Sequence, residues 1–188
     1  MTNCVGHNSS CKPEEMSDGD ALNLVLLVFR VAIGATFVMH GYNKVKNGLA
    51  GTAGWFGSMG MRAPMLQARA AAVTEIGSGA LLVAGLLTPL AGAGVVGTML
   101  VAWVIAHRNN GFFIFLPGGG WEFVMVLLFV GITLGTIGPG EWSLDEAFGL
   151  RDDLFGATGL YLSAGLGLVG GAALLASCWR PPAATAEN

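Results

Sequence analysis

The sequence predicts an all-α membrane protein, a four-helix transmembrane bundle followed by a fifth C-terminal transmembrane helix. Three observations carry that expectation. Of 188 residues, 53% are hydrophobic and only 11% charged, against about 25% charged in soluble domains. The 30 glycines exceed the usual share of about 7%, as expected where small residues let lipid-embedded helices approach closely. Five apolar stretches, residues 21–42, 64–87, 90–107, 121–137 and 156–179, come near the roughly 20 residues that a span requires.

In chain order, residues 1–20 form a polar tail with Glu14, Glu15, Asp18 and Asp20, read as flexible. It lacks the basic start and apolar stretch of a signal peptide. The four-helix domain is placed at 21–146. Within it, residues 47–63 (NGLAGTAGWFGSMGMRA) are too glycine-rich for a stable helix. They are read as an interfacial loop carrying Trp55, Phe56, Met59 and Met61. Pro64 suits a first helical position. The second and third spans meet at Thr88-Pro89 as a tight antiparallel hairpin. Residues 147–180 hold the rest of a polar outer loop and the fifth span, and 181–188 a Pro/Ala-rich tail read as disordered. Gly131-x-x-x-Gly135 and Gly167-x-x-x-Gly171 are close-packing signals.

Lysine and arginine set the orientation. With five spans, Lys44, Lys46, Arg62, Arg69, Arg108 and Arg180 fall on one side, while Lys12 and Arg151 lie on the other among Asp145, Glu146, Asp152 and Asp153. The N-terminus is therefore expected outside and the C-terminus inside, in the cell (plasma) membrane. No basic run alternates with aromatic residues, so nucleic acid is not an expected partner.

Ionisable residues inside spans are functional candidates. Arg30, Gly34, Phe37, Gly41 and Lys44 share one helix face to within about 40°, so that face should turn toward partner helices. Arg30 is expected to pair with Glu75, whose depth from the opposite surface brings it within about 10 Å of the same height. His40, Lys44, Glu75, His107 and Glu122 should all lie near the inner surface. Such groups could hold a metal in a bundle, or bind a quinone headgroup and relay protons. The absence of a Glu-x-x-His motif speaks against metal, and none is expected. A plainer account also exists: His107 at a helix C-terminus and Glu122 at an N-terminus each gain from the helix dipole. Cys4, His7 and Cys11 could form a disulfide or a metal site in the tail, and Cys178 reads as an apolar residue. Gly118-Gly119-Gly120 lacks the lysine of a phosphate loop, and no Gly-x-Ser-x-Gly pattern is present.

Three stretches together resemble the DoxX/DoxD family of small membrane proteins: "HGYNK" ending the first span, "EIGSGALLVAGLLTP" containing Glu75, and "GPGEWSLD" over residues 138–145. The resemblance covers the first span to Asp145. It implies a four-helix bundle linked to sulfur or thiol redox chemistry, since some members belong to thiosulfate:quinone oxidoreductases and others join membrane oxidoreductase complexes with soluble partners. Carried over by position, the motif residues are Arg30, His40, Gly41, Lys44, Glu75, Glu122, Ser143 and Asp145. The fifth span and the cysteine-containing tail depart from that pattern.

The reading that follows is a membrane subunit of a quinone-linked redox system, oxidising thiosulfate or another sulfur or thiol donor. Glu75 and His40 would be catalytic, Arg30, Lys44, His107 and Glu122 would bind quinone or substrate, and Gly41, Ser143 and Asp145 would be structural. Quinone, the bilayer and other redox subunits are the expected partners. Two alternatives are a non-catalytic anchor or assembly subunit of a respiratory complex, docking through its fifth helix, and a small-solute transporter. Topology can be checked directly. Single cysteines placed within 47–63 should resist an impermeant thiol reagent in intact cells, and those within 141–153 should react; the reverse pattern overturns the orientation.

Overall fold

Ser17 starts the first helix. Its hydroxyl accepts from the Asp20 amide at 3.1 Å, while Asp18 and Asp20 in the first turn and Lys44 and Lys46 in the last complement the helix dipole. Helix α1 (Asp18–Lys46) therefore begins three residues before the point hydropathy indicates. The computed structural model describes residues 16–181, so Cys4, His7, Cys11, most of the N-terminal tail and the tail after Pro181 lie outside the described residues. Along α1, Arg30, Gly34, Phe37 and Gly41 are buried, the face that the periodicity selects.

Residues 47–63 depart from expectation. Leu49–Ser58 form helix α2 despite three glycines. Ala53 and Phe56 are buried against Met61 and Ala68, whereas a side chain at Gly51 or Gly54 would meet open space. Tertiary burial of one face outweighs the poor propensity of the sequence. Helix α3 (Pro64–Ala84) starts with Pro64 at its first position as expected. After a short turn comes α4 (Thr88–His107), whose last residues, Trp103–His107, are π-helical. Helix α5 (Glu122–Ile137) follows, then two single turns, α6 (Leu144–Ala147) and α7 (Arg151–Leu154). The chain ends in α8 (Ala157–Cys178), π-helical over Tyr161–Leu166.

The chain is an all-helical membrane protein. Helices α1, α4 and α8, of 29, 20 and 22 residues, are long and apolar enough to cross a bilayer, and α5 is a shorter apolar helix. Among the described residues the only strand-like pairing is a bridge between Met61 and Trp179.

Helix α4 is central, packing on α3, α5 and α8, while α1 packs mainly on α3 and barely meets α5. The closest approach is between α1 and α3. A Cβ at Gly34 would lie 2.5 Å from the Gly79 carbonyl oxygen, and one at Gly79 would overlap the Gly34 carbonyl. The two small-residue signals sit at interfaces as well. Gly131 faces Val95 and Gly92, and Gly167 faces Val96 and Ala93. Leu26, Phe37, Leu82, Ala91, Val95, Leu127 and Leu134 fill the space between α1, α3, α4 and α5.

The two ends of the bundle differ in charge. At one, the Arg62 amide donates to Cys178 O (2.7 Å), the Arg180 amide to Gly60 O (2.9 Å), and Trp179 Nε1 to Met59 O (2.8 Å), tying the end of α8 to the α2–α3 turn. Lys44, Lys46, Arg62, Arg69 and Arg108 belong to this basic end. The other carries Asp18, Asp20, Glu141, Asp145, Glu146, Asp152 and Asp153.

Gly79→Leu should lower the thermal midpoint of the purified protein, since forced overpacking costs about 1–3 kcal/mol or more. Gly77→Leu on the same helix, where a Cβ meets nothing within 4 Å, should leave it near the parent value.

Candidate functional site

Near the basic end, α1 presents His40, Gly41 and Lys44 toward α3. A Cβ at Gly41 would lie 2.9 Å from the Ala72 carbonyl oxygen and 3.1 Å from the Glu75 Cβ, so only glycine permits this approach. One turn later Lys44 Nζ donates to both Glu75 carboxylate oxygens, at 2.7 Å to Oε1 and 2.6 Å to Oε2. The side chains are 19% and 8% exposed. The "HGYNK" stretch is thus a device for bringing a lysine onto a nearly buried carboxylate.

The pair borders a cavity of about 450 Å³, within the range of about 300–1,000 Å³ typical of ligand pockets. Its lining is largely apolar, with Phe37, Trp55, Phe56, Met99 and Leu127 among the walls. His40, Lys44, Glu75 and His107 all line it. His40 is exposed at its edge. His107 closes the π-helical stretch of α4, and its Nδ1 donates to Gly119 O at 2.9 Å. A carbonyl only accepts, so Nδ1 carries a proton, and in the neutral ring Nε2 is the acceptor.

Gln67 is among the lining residues that sequence reasoning missed. Gln67 is 7% exposed, lines the cavity, and makes no side-chain hydrogen bond among the described residues. Its only sequence signal is spacing: Gln67, Ala71 and Glu75 recur at i, i+4, i+8 along one face of α3.

Arg30 and Glu122 lie elsewhere. Glu122 is not a lining residue; its Oε1 accepts from the Ile114 amide at 3.1 Å and holds the α4–α5 loop. Arg30 does not pair with Glu75. The contacts of Gly34 with Gly79 and of Gly41 with Ala72 fix an antiparallel register that sets Arg30 against Gly85, not Glu75. Glu75 is level with Gly41, eleven residues or about 16 Å further along α1. Arg30 is fully buried, and its Nη2 donates to Trp142 O at 2.7 Å. Its Nε and Nη1 have no partner among the described residues.

The "GPGEWSLD" stretch shapes that acidic end. Gly138 and Gly140 adopt φ of 88° and 79°, which strain any other residue. Ser143 caps α6, accepting from the Glu146 amide and donating to Gly140 O. Asp145 is fully buried and accepts from Leu87 N (2.7 Å), Thr88 N (3.0 Å) and Thr88 Oγ1 (2.8 Å). It therefore caps α4 from a distant loop and holds Leu87 in a left-handed conformation, φ 47°. Among the described residues no three His, Cys, Asp or Glu side chains gather as a metal site.

A double-mutant cycle separates the two charge environments. Lys44→Met and Glu75→Leu should each destabilise the protein, by up to the roughly 3–5 kcal/mol seen on breaking buried pairs, and the double variant should recover part of the loss. Arg30→Leu and Glu75→Leu should be additive, as expected for sites more than about 7–10 Å apart. Thermal unfolding in detergent measures both, and strong Arg30–Glu75 coupling would contradict the register.

A family model described as DoxX matches residues 25–108. The matched segment runs from the first turns of α1 to just past α4, so it contains His40, Lys44, Gln67, Glu75 and His107 but stops short of Asp145. No curated protein and no solved structure matches the chain. The DoxX match therefore falls on the segment that builds most of the cavity's polar wall.

Proposed function

We propose that the chain is an integral membrane subunit of a quinone-linked redox system, with the quinone headgroup held between Lys44, His40 and Gln67. The observation that carries this reading is the convergence of His40, Lys44, Gln67 and Glu75 on one largely apolar cavity. The donor set fits the group. A headgroup needs a hydrogen-bond donor at each carbonyl oxygen. Lys44 spends two N–H groups on Glu75 and keeps a third, and the Gln67 amide has both of its own unspent. When bound, a quinone supplies an acceptor of two electrons and two protons.

The remaining work belongs to the chain. Glu75 holds or releases a proton beside Lys44, which offsets its charge. His40, exposed at the edge, exchanges that proton with the basic end. Phe37, Met99 and Leu127 keep the cavity dry. His107, with Nδ1 fixed by Gly119, offers Nε2 to the same space. The positive-inside rule supports a cytoplasmic basic end, with the N-terminus outside and the C-terminus inside the cell membrane. Helices α3 and α5 are read as crossing alongside α1, α4 and α8, making four spans plus a fifth. Electrons come from a sulfur or thiol donor or a redox partner subunit, as the family resemblance implies.

In membranes carrying matched amounts of each variant, His40→Ala and Glu75→Gln should lower quinone-coupled turnover by about a hundredfold or more. His107→Ala should have a smaller effect. Full activity in both His40→Ala and Glu75→Gln would favour the anchor reading.

A further inference from the structure

We infer that the ligand of this cavity is a long-chain amphiphile, with its hydrogen-bonding head at Gln67 and its chain in a groove that α8 builds against α3 and α4. The inference rests on the quinone reading for the head at Gln67 and extends it to a helix, α8, that reading does not need.

Two independent observations support it. The first is Gln67. The residue is more than nine-tenths buried and lines the cavity, and its side-chain amide is hydrogen-bonded to nothing among the described residues, so its donors and acceptor are left for whatever fills the cavity. The second is the shape of the cavity. From the Lys44–Glu75 pair it extends over a floor of Gly94 and Gly97 on α4, between Ala70 of α3 and Gly170 of α8. Helices α4 and α8 touch closely there, since a Cβ at Gly97 would meet the Gly167 carbonyl oxygen at 3.2 Å. A Cβ at Gly170, by contrast, would meet nothing within 4 Å. The floor is fixed by backbone contact and the wall above it is open. Ala70 and Gly170 are both exposed, so the groove opens sideways, where a bilayer-dissolved chain enters without crossing water. A small polar solute would leave this apolar length unfilled. A head with carbonyl or hydroxyl oxygens on a long apolar chain matches both parts, and isoprenoid quinones and phospholipids share that chemistry.

The test uses the purified full chain in detergent and three probes: a tail-less benzoquinone, its decyl homologue, and a pyrene-labelled phospholipid. Quenching of tryptophan fluorescence by the quinones and energy transfer to pyrene report binding, with Trp55 in the cavity wall. The parent should prefer the decyl quinone over the tail-less one by about tenfold or more. Gln67→Leu should weaken both quinones by about tenfold. Gly170→Leu, and Ala70→Leu from the opposite wall, should each remove the preference for the decyl chain, and either one suffices if the other does not fold. A preference that survives in the folded groove variants overturns the chain assignment, and unchanged quinone binding in Gln67→Leu overturns the head assignment. A parent that binds phospholipid but no quinone, with the same dependence on Gln67 and Gly170, sinks the quinone reading and leaves the amphiphile site standing.

Discussion

The backbone-to-backbone contact of α1 with α3 sets the terms for everything else. Gly34 against Gly79 and Gly41 against Ala72 bring two helices closer than any side chain allows. Such contacts are discrete: shifting one helix by a residue drives a Cβ or carbonyl into its neighbour. In lipid, where apolar burial gives little drive for association, this kind of fit replaces the hydrophobic effect. Once the register is fixed, Lys44 must meet Glu75 and Arg30 must meet the α3–α4 turn. The cavity follows from the same contact, because α1 is held on α3 and barely meets α5.

Much of this was legible in the sequence wherever the cue was one-dimensional. The buried face of α1, the start of α3 at Pro64 and the grouping of His40, Lys44, Glu75 and His107 near one end follow from periodicity, capping chemistry and hydropathy. Arg30 was misassigned because its partner depends on the offset between two helices. Counting depth from each surface cannot fix that offset to better than a few turns. Helix α2 was missed because propensity penalises its glycines without knowing that they face open space while Ala53 and Phe56 find a surface. Gln67 went unnoticed because a neutral amide in an apolar helix raises no alarm until its lack of partners can be seen.

The acidic end solves a different problem. Two loops and a buried arginine have to be closed where backbone groups would otherwise lack partners, and Asp145 does most of it by taking three donors from the start of α4. Arg30 reaches across from α1 to the Trp142 carbonyl, so the turn after α3, the loop after α5 and α1 meet at one point. Arg30 and Asp145, both fully buried, make no direct ion pair. This end closes the loops of the bundle and is separate from the cavity at the basic end.

The Lys44–Glu75 pair also decides what sort of molecule the cavity can welcome. Its two opposite charges lie within 3 Å of each other and cancel at any distance beyond a few ångströms, leaving a local dipole and no net field. An incoming anion, a sulfur oxyanion included, would meet a lysine whose charge Glu75 already offsets and would lie beside that carboxylate. An incoming cation would meet the mirror-image problem. An uncharged molecule with polarised oxygens faces neither penalty and orients along the dipole. The charge balance of this wall thus favours an uncharged ligand over an ionic one.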